Sequence, residues 1–105
     1  MICRLWRGWT SVENAPEYEA IVRNEVIPAI EARSIRGFRQ IDLMRRPVSD
    51  GVEFQTVMWF DDLASVRECA GEEYWVSHVP DRARQVLSRY DDSAVHFEVI
   101  DRRAQ

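Results

Sequence analysis

Residues 37–60, "GFRQIDLMRRPVSDGVEFQTVMWF", decide how this chain folds. Two runs within it, 37–47 and 52–60, alternate in polarity and are rich in β-branched and aromatic side chains, as strands on a half-buried pleated surface are. Between them stands "VSDG" (48–51), and an Asp-Gly pair flanked by two alternating runs is a strong hairpin signal. The stretch predicts an antiparallel hairpin around which the other segments can be arranged.

Upstream, "ICRLWRGWT" (2–10) also alternates and reads as a strand. Ser11 or Asn14 is suited to cap a helix, Pro16 fits its first turn, and Tyr18, Ile21, Val22 and Ile30 give a helical stripe to about Arg33. Pro28 is expected to kink or locally break that helix. Downstream, Asp61 or Asp62 caps a short helix, "DDLASVRECA", that Gly71 ends. Pro80 then opens a further helix with Val79, Ala83, Val86, Leu87 and Tyr90 on one face. "SAVHFEVI" (93–100) closes the chain as a strand, leaving 101–105 as a frayed tail. The order β-α-β-β-α-(α)-β over residues 1–105 is a single α+β domain of the ferredoxin-like split βαβ type. It predicts a four-stranded antiparallel sheet with helices on one face.

Alternation separates the two faces of that sheet. Val52, Phe54, Thr56, Met58 and Phe60 fall on one side of the third strand, with Glu53, Gln55, Val57 and Trp59 on the other. The last strand sets Val95, Phe97 and Val99 against His96 and Glu98. Neither face is simply polar, as expected where the second face packs on a partner sheet, so a homodimer is predicted.

Composition narrows the function classes. The net charge of −4 comes with interspersed acids and arginines and no basic face, which speaks against nucleic-acid binding. All basic residues are arginine, so a lysine Schiff base and a P-loop lysine are excluded. No apolar run approaches the roughly 18 residues of a membrane span. The start, "MICRLWRGWT", carries arginines within its apolar stretch and does not read as a signal peptide. Cys3 and Cys69 lie far apart and suggest neither a disulfide framework nor a zinc site, so a cytoplasmic setting is expected.

The segments "WRGWT", "GFRQIDLMRR", "VMWFDDLASVRECAGEEY" and "VPDRARQVLSRYDDSAVHFEV" resemble the antibiotic biosynthesis monooxygenase-like family. That resemblance implies a homodimeric α+β barrel, with a pocket in each subunit between the sheet and its helices. It also implies a small aromatic ligand. Family activities include cofactor-independent oxygenation of polyketide-type phenols and haem degradation, and some members have no known role. The first reading is therefore a cofactor-independent monooxygenase, with haem or a non-catalytic ligand-binding dimer as alternatives.

Cofactor-free oxygenation needs an apolar pocket for a flat substrate and a base to generate its electron-rich anion. His78, His96 and Tyr74 are the candidate catalytic groups. His78 lies roughly where haem-degrading relatives place their axial ligand, although Glu68 and Cys69 stand where those relatives have a tryptophan. Trp59, Trp75, Phe38 and Trp6 are candidate pocket walls, and a tryptophan N–H or an arginine is expected to stabilise an oxyanion. Trp75 falls in the aperiodic stretch "GEEYWVSHVP" (71–80), where it should cap the pocket mouth or pack on a partner subunit. Arg39 is the arginine expected to bind substrate. Arg4, Arg7 and Arg45 also sit on strands, and ion pairs with Asp42, Glu53 or Glu98 are the ordinary expectation for all four. No histidine spacing of a metal site is present, and no metal is expected.

Overall fold

A computed structural model describes all residues, 1–105. The elements run β1 (Ile2–Thr10), α1 (Ala15–Ile21), a π-helical turn (Val22–Val26), α2 (Ile27–Glu31), β2 (Phe38–Val48), β3 (Gly51–Phe60), α3 (Leu63–Ala70), α4 (Asp81–Val86), β4 (Arg89–Tyr90) and β5 (Val95–Glu98). The sheet is antiparallel throughout, in the order β2-β3-β1, with β4 and β5 both pairing to the free edge of β1. This is the ferredoxin-like arrangement, with all helices on one face. No helix is long and apolar enough to cross a membrane.

The hairpin forms as predicted, with its turn at residues 48–51. Val48 pairs with Gly51, so Ser49 and Asp50 are the central turn residues. Gly51 takes φ 152°, and a Cβ there would overlap the Thr10 carbonyl oxygen on the neighbouring strand.

Pro28 neither breaks nor ends the first helical stretch. Residues flanking it keep helical dihedrals, and the missing N–H is absorbed by the π-helical turn just before it. Asp62, rather than Asp61, caps α3, its carboxylate accepting from the Ser65 N–H at 2.9 Å and the Ser65 hydroxyl at 2.8 Å.

The fourth lane of the sheet differs from expectation. Helix α4 stops at Val86 because Leu87 turns extended, and Tyr90, predicted on the helix, lies in β4. Strand β5 is shorter than 93–100, and the pairing register on β1 slips by two residues between β4 and β5. Residues 91–94 bulge out there, and the stretch 71–80 fills the gap. Val76 bridges Ser93, the Ser77 N–H donates to Asp92 O at 3.0 Å, and the Ala94 N–H to Trp75 O at 2.7 Å. The tail is tied at its start, with Val99 N–H donating to Met1 O and Arg102 lying 4.8 Å from the Trp59 ring.

Candidate functional site

Register fixes which side of the sheet meets the helices. Ile2, Arg4, Trp6 and Gly8 of β1 stand beside Phe60, Met58, Thr56 and Phe54 of β3, and those β3 residues pack under the helices. The core on this side is divided. One cluster gathers Phe54, Tyr18, Ile21, Val22 and Val86, and another gathers Met58, Phe60 and Val66. Between them lies a cavity of about 620 Å³.

Arg4, Trp6, Ile41, Thr56 and Met58 form its sheet wall, and Tyr18, Val22, Val26 and Ile30 its main helical wall. The π-helical turn therefore borders the cavity, where widening of the helix leaves room that regular packing would fill. Cys69, Ala70 and the segment from Ser77 to Ala83 complete the lining, and with that segment comes His78. A wall this apolar, with few polar groups, is the usual form of a small-molecule site.

His78 is set in place by its neighbour. The Trp6 indole N–H is shared between the Ser77 hydroxyl and the Asp91 carbonyl, each at 2.8 Å, while the Ser77 hydroxyl donates to that carbonyl at 2.5 Å. This knot fastens the 71–80 stretch to β1 and the bulge. Trp6 thus lines the cavity with its N–H already spent, and that N–H cannot stabilise an oxyanion.

Tyr74 and His96 meet each other away from the cavity lining, their rings edge to face with centroids 5.0 Å apart. His96 is the cross-strand neighbour of Arg4, and the Arg4 guanidinium donates to the Tyr74 carbonyl at 3.3 Å. Arg4 is the link between that pair and the cavity. Burial, then the adjacent Arg4 charge, pushes the His96 imidazole below its ordinary value of 6.5. A histidine whose folded pKa is depressed adds stability above about pH 6.5, its unfolded value, and loses it as pH falls through the folded value. The thermal midpoint should fall more steeply from about pH 7 to about pH 5 in the wild type than in His96→Gln. Parallel pH profiles for the two proteins would contradict this placement.

The other candidates lie elsewhere. Trp59 is on the open face, its indole donating to Asp42 at 3.0 Å, because it alternates with Met58. Phe38 packs on Phe60, ring centroids 5.4 Å apart. Arg39 sits at a register shift in β2 that turns it outward, where it holds Asp61 through two hydrogen bonds. Trp75 is 47% exposed, with its ring edge against Tyr74. Cavity residues that sequence reasoning passed over include Tyr18 and Cys69. Burial raises the Tyr18 phenol to about 12 and also raises the Cys69 thiol, so both stay protonated at neutral pH. Of the lining acids, Glu25 is held by Arg82 at 2.5 Å and Asp81 by Arg84. The imidazole of His78 is the remaining base, and imidazole is the side chain suited to proton transfer near neutrality.

No family model and no curated protein matches the sequence. Solved structures do match. A mutant of MhuD with two manganese protoporphyrin IX molecules bound per active site aligns with a TM-score of 0.70 at 17% identity, over 100% of both chains. A Bacillus cereus protein described as an antibiotic biosynthesis monooxygenase gives 0.66 at 9% identity, over 100% of this chain and 96% of the other. Rv0793 from Mycobacterium tuberculosis gives 0.61 at 17%, over 98% of each. At these identities the likeness establishes a shared fold and leaves the chemistry to the residues.

Proposed function

We propose that this chain, which has the fold of the antibiotic biosynthesis monooxygenase-like proteins, is a homodimeric oxygenase that needs no bound cofactor and acts on a flat phenolic or polyketide-type aromatic. The observation that carries this reading is the apolar cavity of about 620 Å³ with a single imidazole, His78, on its lining. His78 takes a proton from the phenol or enol, and the anion gains carbanion character at the ring position to be oxidised. That anion passes one electron to dioxygen, and the resulting radical pair joins to form a C–O bond. The peroxide takes the proton back from His78. Loss of the remaining C–H proton with cleavage of the O–O bond releases water and leaves a carbonyl. Overall, CH2 and O2 become C=O and H2O, so the substrate supplies all four electrons and no external reductant enters. Oxygen-electrode assays over a panel of hydroxyquinols and anthrones should show uptake equimolar with quinone formed. Absence of uptake across the panel overturns the reading, and binding without uptake marks a non-catalytic ligand-binding protein.

Haem is the second reading, favoured by the position of His78 on the lining of a fold shared with a porphyrin-binding protein. His78 would hold the iron through its imidazole, and Val22, Val26, Ile30 and Met58 would give an apolar surface for the macrocycle. When bound, the group supplies iron-centred activation of dioxygen. Titration with haemin separates the readings: a Soret shift that His78→Ala abolishes supports haem, and an unshifted spectrum supports the cofactor-free oxygenase.

The dimer rests on the open face. Val95 and Phe97 of β5 are 50% and 53% exposed there, whereas Trp9 on the same face is shielded by Arg7 and Arg89. A second copy would cover the exposed pair, and two free thiols, Cys3 and Cys69, accord with a cytoplasmic setting. Light scattering at micromolar concentration should give twice the 12.4 kDa chain mass, and Phe97→Asp should return it to the monomer. A monomeric wild type contradicts the dimer.

A further inference from the structure

Four of the six arginines on the strands divide sharply. Arg7 pairs with Asp91 at 2.9 Å, Arg39 with Asp61 at 2.5 Å and Arg45 with Glu19 at 3.0 Å, all from exposed positions. Arg4 is different in both respects. It is half-buried on the cavity wall, it forms none of the chain's ion pairs, and its one hydrogen bond goes to the Tyr74 carbonyl. Its Nε–H is fully buried with no partner, and so is the Nε2 of His96 directly across the strand pair. Leaving a buried guanidinium N–H unpaired is costly, and folded chains rarely do so without a use for it.

The rest of the cavity shows that no internal acid is available to neutralise it. Glu25 and Asp81 are committed to Arg82 and Arg84, while Arg33 donates to the Glu68 and Cys69 carbonyls and is, after Arg4, the second lining arginine outside any ion pair. The site is therefore apolar in area and positive in charge. A guanidinium remains cationic at any physiological pH, and its fork matches a carboxylate or a pair of adjacent oxygens.

We propose that Arg4 is the ligand anchor of this cavity, and that the cavity selects flat apolar molecules carrying an acidic oxygen group. This deepens the oxygenase reading, since it names the feature by which the aromatic substrate is recognised, yet it concerns binding and can be tested without turnover. In this arrangement Arg4 receives the anionic oxygens, and the Tyr74 carbonyl holds the guanidinium in position. The opposite end of the molecule lies among the valine and isoleucine side chains of the helical wall.

The test is calorimetric titration of the wild type, Arg4→Gln and Arg4→Lys with anthraquinone-2-carboxylate and with the corresponding neutral carboxamide. The wild type should bind the carboxylate at least about tenfold more tightly than the carboxamide. Arg4→Gln should bind both equally, and Arg4→Lys should retain part of the preference. Thermal melts of the free proteins give a second readout. Removing a buried, unpaired charge should leave the Arg4→Gln midpoint unchanged or raised, whereas a purely structural arginine would lower it. Equal binding of the two compounds by the wild type overturns the proposal. So does a preference that survives Arg4→Gln, or failure of both compounds to bind. Oxygen uptake by neutral phenols alongside equal binding would overturn the anchor and leave the oxygenase reading standing.

Discussion

Replacing Phe54 with alanine should destabilise the domain by about 3–5 kcal/mol, a large share of the roughly 5–15 kcal/mol that holds a domain together. Phe54 is 1% exposed and lies under α1, with its ring centroid 4.8 Å from that of Tyr18. It joins the cluster of Ile21, Val22, Ala83 and Val86, so it ties the long helical stretch and α4 to the sheet at once. The gap its loss leaves borders residues that already line a cavity, and the helices cannot collapse into it without losing their remaining contacts. Urea denaturation should show a lower midpoint with little change in slope. A loss below about 1.5 kcal/mol would mean that the helices repack freely over the sheet.

His78→Ala should lower kcat for oxygen uptake by about a hundredfold or more, the usual contribution of a positioned general base. Because His78 is an exposed residue on the cavity rim, its removal should leave stability within about 0.5 kcal/mol of the wild type. That pairing of outcomes separates a catalytic group from a structural one. Ser77→Ala provides the comparison. It removes the hydroxyl that Trp6 and the Asp91 carbonyl share, so the rim loosens with the imidazole still present. Activity should fall less in Ser77→Ala than in His78→Ala. Unchanged kcat in His78→Ala would remove the histidine from the chemistry.

Local chemistry in the chain announced much of this architecture. Alternation marked the strands, the Asp-Gly pair marked the hairpin, and the Asp61–Asp62 pair and Gly71 marked the two ends of α3. The fourth lane was not legible, because a two-residue strand and the bridge from Val76 to Ser93 depend on long-range edge pairing that leaves no period in the sequence. The candidate site was readable in part for a related reason. Alternation set Trp59 opposite Phe54 and Met58, but both faces carry large apolar groups, so it could not say which one met the helices. Arg4 and Arg39 looked alike as strand arginines. Only the folded positions of Asp61, Glu25 and Asp81 reveal that Arg39 is satisfied and Arg4 is not. Pro28 was legible as a disturbance, while its resolution into a π-helical turn beside the cavity depends on packing.

The most direct measurement is a crystal structure of the protein with a hydroxyquinol-type aromatic bound under anaerobic conditions. The ring is expected between Met58 and the Val22–Val26 turn, with an oxygen within hydrogen-bond reach of the His78 imidazole or the Arg4 guanidinium. A ligand seated on the open face against Phe97 and Trp59, with the cavity between sheet and helices left to solvent, would contradict it.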